Sequence, residues 1–217
     1  MEKNYLKIIF VIDESGSMQG TESDVIGGFN NFIEEQKTKP YGKVDVTLYK
    51  FNNESTKVFS DLPLEKIRLI DRRDYNPGGL TALYDTIGIA IDEAERHNEY
   101  LKKEDKPDMS IMVIITDGQE NASREYSAHA VKQLIEKHEK NEDWQFIYLG
   151  ANLSNFSYAD DLGIRHRASS RKENLKEKFG KVSEHTAYFR EAQDLKINMS
   201  SFMEKFMDKF MDDLDDK

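Results

Sequence analysis

The sequence predicts an α/β fold: a doubly wound three-layer sandwich, with helices on both faces of a mostly parallel central sheet. Two strongly apolar segments, residues 6–12 and 110–116, are short and show no regular polar alternation. This pattern is typical of strands that are buried on both faces of a parallel sheet. Segments with helical periodicity alternate with the strand-like segments, which indicates parallel strands joined by right-handed helical crossovers.

Six segments are predicted to be strands, and two of them should form a hairpin. Asn52 and Asn53 separate residues 44–51 from residues 56–59 and suit the turn of an antiparallel pair. Residues 61–75 fit neither the strand period nor the helical period. The predicted strands are residues 6–12, 44–51, 56–59, 110–116, 144–149 and 165–168.

Five segments are predicted to be helices, and the longer ones carry an apolar stripe at helical spacing. Thr21 or Ser23 can cap the first helix, whose stripe consists of Val25, Ile26, Phe29, Phe32 and Ile33. Thr81 follows a Gly-rich turn and is expected to begin the second helix. The predicted helices are residues 21–39, 81–103, 127–140, 154–162 and 174–192.

Composition and charge limit the classes of function. The 217 residues suit one large domain, here residues 1–193, with residues 194–217 as a C-terminal extension. A net charge of −10 argues against general nucleic-acid binding, and the absence of cysteine excludes disulfides and thiolate metal sites. The N-terminal residues do not resemble a signal peptide, so a cytoplasmic protein is expected.

Oxygen-bearing side chains follow the first predicted strand. Asp13, Ser15 and Ser17 stand at alternate positions directly after the apolar segment 6–12. A second carboxylate, Asp117, ends the apolar segment 110–116, and Thr81 follows the Gly78–Gly79 turn. Oxygen ligands suit hard cations such as Mg²⁺ or Mn²⁺. In open α/β sheets, ligands bind at the carboxyl ends of the strands, where these residues are expected.

Together, these three pieces resemble the metal-ion-dependent adhesion site of the von Willebrand factor A domain family, in its intracellular bacterial or phage type. The family pattern is Asp-x-Ser-x-Ser, then a distant Thr, then a distant Asp. Matched residue by residue, the metal ligands here are Asp13, Ser15, Ser17, Thr81 and Asp117. The resemblance implies a Rossmann-like sheet with one antiparallel edge strand. Leu80, which separates the glycine pair from Thr81, departs mildly from the family pattern.

The resemblance also implies how such a site works. Neutral hydroxyl ligands leave a bound Mg²⁺ or Mn²⁺ electrophilic, so an Asp or Glu carboxylate of a protein partner can replace a water on the metal. Asp85, one helical turn after Thr81, has two candidate roles. It either orients the metal ligands from outside or stabilises the helix N-terminus, and the second role is favoured.

Two other interpretations fit some of these residues. Ser, Asp and Gly after a strand are also ordinary turn and capping residues, which would suffice to explain Asp13 alone. A metal-dependent hydrolase or phosphatase that uses Asp13 is the alternative function. Phosphatases of the haloacid dehalogenase type need a second Asp two positions later as general acid, where this chain has Ser15. A non-enzymatic role is therefore expected.

The C-terminal extension has an amphipathic pattern of Met and Phe. Its apolar positions recur at helical spacing, and Asp, Glu and Lys occupy the opposite face. Such a helix either packs on its own domain or docks on another molecule, including a second copy of the chain. The acidic face makes a membrane an unsuitable target. The expected partner-binding residues are Phe202, Met203, Phe206, Met207 and Phe210.

Overall fold

A six-stranded sheet forms the centre of the molecule. The computed structural model describes residues 4–150, 156–164, 166–169 and 174–195, so the predicted C-terminal helix with Phe202, Met203, Phe206, Met207 and Phe210 lies outside the described residues. Within them, the strand order is β3-β2-β1-β4-β5-β6. The strands are β1 (Tyr5–Asp13), β2 (Lys43–Phe51), β3 (Ser55–Pro63), β4 (Met109–Thr116), β5 (Trp144–Gly150) and β6 (His166–Ser169).

All neighbouring strands are parallel except β2 and β3, which form the antiparallel edge. The chain first builds outward from β1 to β2 and β3, and then crosses to the other side of β1 to add β4, β5 and β6. The direction of winding therefore reverses between β1 and β4. Such a reversal leaves a crevice at the carboxyl ends of the two strands, the usual ligand site in open α/β sheets. The doubly wound fold class predicted from the sequence is confirmed.

Helices cover both faces because alternate side chains of each central strand point to opposite sides. On β1, Ile8 and Phe10 pack toward one layer, while Ile9 and Val11 pack toward the other. Helices α1 and α5 supply the first layer, and helices α2, α3 and α4 supply the second. The helices are α1 (Glu22–Lys37), α2 (Leu83–Tyr100), α3 (Ala128–Asn141), α4 (Phe156–Asp161) and α5 (Leu175–Asp194).

The layer of α1 and α5 is closely packed. The ring of Phe10 on β1 makes edge contacts with Phe29 and Phe32 of α1, at centroid distances of 5.2 and 5.0 Å. Gly28 lets α5 approach α1, because a methyl group at this position would overlap the ring of Phe179. The buried Arg190 of α5 donates hydrogen bonds to main-chain oxygens at the end of α1 and in the turn that follows, including those of Gln36 and Tyr41. These contacts fix α5 along α1.

The largest differences from the predicted boundaries are in α2 and β3. Helix α2 begins at Leu83 rather than Thr81 and ends at Tyr100, so Thr81 lies in the loop before the helix. Strand β3 continues to Pro63, well beyond the predicted residues 56–59. Its pairing with β2 shifts register, and such an irregular edge strand shows no clean alternation in the sequence. After β3 the chain has no regular secondary structure over most of residues 67–82, yet Ile67 and Tyr75 are buried in the core. Because this segment has neither helical nor strand periodicity, the burial of these residues could not be predicted from the sequence.

No helix within the described part of the chain is long and apolar enough to cross a membrane.

Candidate metal centre

Asp13 is the last residue of β1, and its side chain is completely buried at the crevice beside β4. The backbone N–H of Ser15 donates a hydrogen bond to Asp13 Oδ1 at 2.7 Å. The hydroxyl of Thr116, at the end of β4, donates to Asp13 Oδ2 at 2.5 Å. Both carboxylate oxygens of Asp13 therefore have defined directions, and the carboxylate is tied to the neighbouring strand.

Ser15, Ser17 and the second carboxylate, Asp117, lie next to Asp13 and are linked by hydrogen bonds. The hydroxyl oxygens of Ser15 and Ser17 lie 3.0 Å apart, and the Ser17 hydroxyl donates to Asp117 Oδ1 at 2.6 Å. Asp117 directly follows β4, 100 residues from Ser17 along the chain. The crossover topology thus brings the first and third parts of the predicted motif into direct contact.

Thr81, the remaining predicted metal ligand, lies in a loop that is hydrogen-bonded to two other loops. Its backbone N–H donates to the side-chain oxygen of Asn121, and the N–H groups of Asn121 and Ala122 donate to the Thr81 carbonyl. On the other side, Ala82 donates its backbone N–H to Asn52 in the turn between β2 and β3. Thr81 is therefore positioned by residues far away in the sequence, and it is 3% exposed.

Gly118 shows where the oxygen atoms converge. A methyl group placed on its Cα would lie 2.9 Å from Thr81 Oγ1, 3.1 Å from Asp13 Oδ2 and 3.2 Å from Ser15 Oγ. Three of the five predicted ligands, from two separate parts of the chain, therefore surround one small space beside this glycine. Gly118 is not among the predicted site residues, although its position directly after Asp117 was a usable signal.

The electrostatics of this space suit a cation. Burial raises the pKa of Asp13, hydrogen bonds from Thr116 and Ser15 act in the opposite direction, and the charge of Asp117 raises it further. Two nearby carboxylates in a buried crevice are unfavourable without a compensating positive charge. In the described residues, no three His, Asp or Glu side chains could hold a metal ion without other ligands. A metal ion bound here would therefore need the hydroxyls as well as the two carboxylates, and such a set of oxygens suits Mg²⁺ or Mn²⁺.

The loop before Thr81 is fixed against the loop that follows β1. The Glu14 carboxylate accepts hydrogen bonds from Lys50 and from the backbone N–H of Asn76. The Tyr75 hydroxyl donates to the Asp13 carbonyl at 2.7 Å. Gly16 donates its N–H to the Gly79 carbonyl at 3.0 Å, so the two loops also share a main-chain contact. None of these supporting residues was predicted from the sequence, because their partners are determined only by the folded chain.

The loop that follows Asp117 caps helix α2 from outside the helix. Ala82, the residue at the cap position, offers no side-chain hydrogen bond. Instead, the Glu120 carboxylate accepts from the N–H of Tyr84, and the Ser123 hydroxyl accepts from the N–H of Asp85. These contacts satisfy backbone donors at the helix start and couple the loop after Asp117 to the segment that carries Thr81.

Asp85 extends this coupling. Its carboxylate accepts hydrogen bonds from the backbone N–H groups of residues 124–126, at 2.7 to 2.8 Å. The ring of Tyr126 then packs against Gly88, one turn further along α2, where a methyl group would overlap it. Asp85 therefore fastens the loop after Asp117 to α2, a contact that neither of its two predicted roles included.

The described features define a class of protein: a doubly wound α/β domain with an oxygen-rich crevice at the reversal point of its sheet. A family model of the von Willebrand factor type A domain matches residues 7–189, and the chain belongs to this family. No curated protein shows significant similarity to the chain.

Several solved structures share the fold. Proximal thread matrix protein 1 from the mussel byssus is 18% identical, with a TM-score of 0.58, over 85% of this chain and 47% of that one. The PilB minor pilin from Streptococcus sanguinis is 13% identical, with a TM-score of 0.62, over 86% and 62%. Manganese-loaded TRAP protein from Plasmodium vivax is 18% identical, with a TM-score of 0.52, over 80% and 72%. The chain thus spans about half to two thirds of the length of the first two.

Proposed function

We propose that this protein is a metal-dependent protein-interaction module. In this proposal, Asp13, Ser15, Ser17, Thr81 and Asp117 hold a Mg²⁺ or Mn²⁺ ion, directly or through water. The observation that carries the proposal is the convergence of Thr81 Oγ1, Asp13 Oδ2 and Ser15 Oγ on the space beside Gly118. The manganese-loaded Plasmodium protein, and the mussel protein with a zinc-occupied metal-ion-dependent adhesion site, support a divalent ion in this position.

The proposed partner supplies an Asp or Glu carboxylate to the metal. The donor set carries two carboxylates and three neutral hydroxyls, and Mg²⁺ usually keeps several waters that an incoming oxygen ligand can replace. Exposure supports one direction of approach: Ser17 is exposed, whereas Asp13, Ser15 and Thr81 are buried. Asp117 is also buried, so a partner carboxylate would enter from the side of Ser17.

The geometry favours this role over hydrolysis by Asp13. A nucleophilic carboxylate must reach its substrate, but Asp13 is completely buried, and both of its oxygens accept hydrogen bonds. Its position is that of a group that binds or orients a metal ion. Incubation of the Mg²⁺-loaded protein with p-nitrophenyl phosphate tests the hydrolase alternative, since turnover that disappears in Asp13→Ala would support it.

Calorimetric titration with Mg²⁺ and with Mn²⁺ tests the metal centre itself. Wild-type protein should bind one ion per chain, whereas Asp117→Ala should lose at least about tenfold in affinity, since a charged ligand is removed. Asp105→Ala is the matched control, because Asp105 is an exposed carboxylate outside the site. Equal binding by wild type and Asp117→Ala would remove the proposed centre.

Partner binding needs a separate test. Immobilised wild-type protein in Mg²⁺ should retain a partner that is lost in EDTA and is not retained by Asp117→Ala. Replacement of the partner's acidic residues by their amides, one at a time, should then identify one carboxylate whose loss abolishes binding. Retention in EDTA would contradict a metal-mediated contact, even if the protein binds metal.

A further inference from the structure

A surface groove begins beside Thr81 and runs along helix α2. Its volume is about 620 Å³. Its lining includes Leu80 and Ala82, the two chain neighbours of Thr81, and Asn121, whose side chain accepts the Thr81 N–H. The groove therefore borders the loop that carries a proposed metal ligand, and its volume lies within the range typical of ligand sites, roughly 300 to 1,000 Å³.

The groove is long enough for a short peptide segment. Ala82, Asp85 and Ile89 line it, and their spacing of three and four residues places them on one face of α2. This face extends over seven residues from Ala82 to Ile89, which corresponds to about 10 Å. An extended peptide spans that distance with about three residues. Most other lining residues belong to the β2–β3 turn (residues 53–55) and to the loop before α3 (residues 121–125).

Part of the groove is apolar and accessible to solvent. Leu80 is 49% exposed, and Ile89 and Ala122 are partly exposed. Leu80 directly precedes Thr81, so this apolar surface lies next to the metal centre. An apolar side chain of a partner that covers it would be removed from water, which is the main favourable contribution to most protein association.

The charged side chains of the groove are available to a partner. Glu54, Arg124 and Glu125 are exposed, and within the described part of the chain their side chains form no ion pair. Asp85 adds a third carboxylate, so carboxylates outnumber cations in the lining. Such a surface is complementary to a Lys or Arg side chain.

We propose that this groove selects the partner of the metal centre. The partner segment carries two further residues within about four positions of its metal-binding Asp or Glu. One is an apolar residue that packs on Leu80 and Ile89, and the other is a Lys or Arg that pairs with Glu54 or Glu125. This inference rests on the proposed function, because the metal-bound carboxylate holds the segment at the start of the groove. It adds a sequence requirement that the metal alone does not impose.

Capped peptides of Gly and Ser test the proposal in Mg²⁺, with fluorescence anisotropy as the readout. One peptide carries a single Asp, and a second set adds a Leu and a Lys within about four positions on either side of this Asp. The best member of the set should bind at least about tenfold more tightly than the peptide with Asp alone. The gain should disappear when a Gly linker longer than the groove separates the Asp from the Leu and the Lys.

Variants of the groove locate this gain, which is expressed as the ratio of the two affinities. Leu80→Ala should remove most of the contribution of the Leu, and Glu54→Gln combined with Glu125→Gln most of that of the Lys. Leu69→Ala is the matched control, because Leu69 is also 49% exposed but lies outside the groove, and Glu104→Gln is the control for charge. A ratio that is unchanged in Leu80→Ala, or lowered as much in Leu69→Ala, would overturn the proposal.

The outcomes separate this inference from the proposed function. Equal affinity for both kinds of peptide in Mg²⁺, or no saturable binding of either, would contradict the groove, while calorimetry and the EDTA pull-down still decide on the metal centre. Binding of the peptide with Leu and Lys that is undiminished in EDTA would instead contradict the metal-mediated contact. The expected pattern is a gain of at least about tenfold in Mg²⁺ and loss of binding in EDTA.

Discussion

At the scale of single residues, the candidate metal centre depends on a glycine, Gly118, which has no side chain to fill the site. Gly118 leaves room beside Thr81 Oγ1, Asp13 Oδ2 and Ser15 Oγ, all within 3.2 Å of where its Cβ would be. Any larger residue would occupy the space on which these oxygens converge. The glycine is therefore as necessary to the proposed centre as the ligands themselves.

We expect Gly118→Ala to fold and to lose at least about tenfold in Mg²⁺ affinity, because its methyl group competes with the ion for space. Calorimetric titration measures the affinity, and circular dichroism checks the fold. Gly78→Ala is the control, since a methyl group there meets nothing within 4 Å. Wild-type affinity in Gly118→Ala would place the ion elsewhere.

The raised pKa of Asp13 makes a second prediction at this scale, for the metal-free protein. A carboxyl group whose pKa is raised by folding stabilises the fold below its ordinary value of 3.8, and this contribution is lost as pH rises through the raised value. Asp13→Asn cannot ionise, so in EDTA its stability should fall less than that of the wild type as pH rises from about 4 to neutral. Urea midpoints across this pH range measure the difference.

The same experiment has a control variant, and addition of Mg²⁺ should reverse the order of stability of Asp13→Asn and wild type. Asp105→Asn should follow the wild-type pH profile, because Asp105 is exposed and distant from the crevice. With saturating Mg²⁺ at neutral pH, wild type should be the more stable protein, since only it retains the charged ligand. An identical pH dependence for Asp13→Asn and wild type in EDTA would contradict the assigned cost of burying this carboxylate.

At the scale of elements, close approach of helices and loops depends on glycines in helices. Gly28 of α1 faces Phe179 of α5, and Gly88 of α2 faces Tyr126 in the loop after Asp117. A glycine inside a helix lowers helix stability by about 1 kcal/mol relative to alanine. Helix propensity therefore disfavours glycine at both positions, and the close packing against Phe179 and Tyr126 must compensate for this cost.

The adjacent glycines of α1 test this balance directly. We expect Gly28→Ala to destabilise the protein by about 1 to 3 kcal/mol, because the new methyl group overlaps the Phe179 ring. Gly27→Ala should instead stabilise it by about 0.5 to 1 kcal/mol, since the nearest atom to a methyl group there is Lys176 Cε at 4.0 Å. Urea unfolding of both variants gives the free energies. Equal effects would mean that α5 does not pack on α1 as described.

At the scale of the whole molecule, the proposed metal links residues that lie 104 positions apart, from Asp13 to Asp117. A ligand that binds only the folded state raises the free energy of unfolding, by about 2.7 kcal/mol at a concentration 100 times its Kd. We therefore expect the thermal midpoint to rise steadily with Mg²⁺ concentration. The rise should be absent in Asp117→Ala, and an equal rise in that variant would assign it to general ion effects.

The C-terminal Met and Phe pattern stays a prediction, and truncation after residue 195 distinguishes its two interpretations. If the predicted helix packs on its own domain, the truncated protein should have a lower urea midpoint and an unchanged oligomeric state. If it docks on another molecule, the midpoint should stay the same while self-association or partner binding is lost. Sedimentation and urea unfolding of the same preparation measure both.

Local sequence patterns were sufficient to predict the architecture, whereas the set of five metal ligands came from the resemblance to the family motif and stays a prediction. Buried strands and amphipathic helices have characteristic periods, and Asp13, Ser15 and Ser17 follow the strand 6–12 so closely that their place at its carboxyl end was predictable. The edge strand was predicted less well. Its register shift and the strained Asp61 depend on pairing with β2, which has no local signature.

The sequence by itself determined the order of strands and helices, the chemistry of the predicted metal ligands, and the position of Asp13 and Asp117 at the ends of strands. Tertiary structure decided which distant groups meet: Gly118 beside Thr81, Glu120 at the start of α2, and Lys7 against Asp61. The physical reason is the separation along the chain over which each kind of interaction acts. Periodicity and capping act over a few residues and are written in the local sequence, whereas close contacts and buried charge pairs exist only after the chain has brought remote segments together.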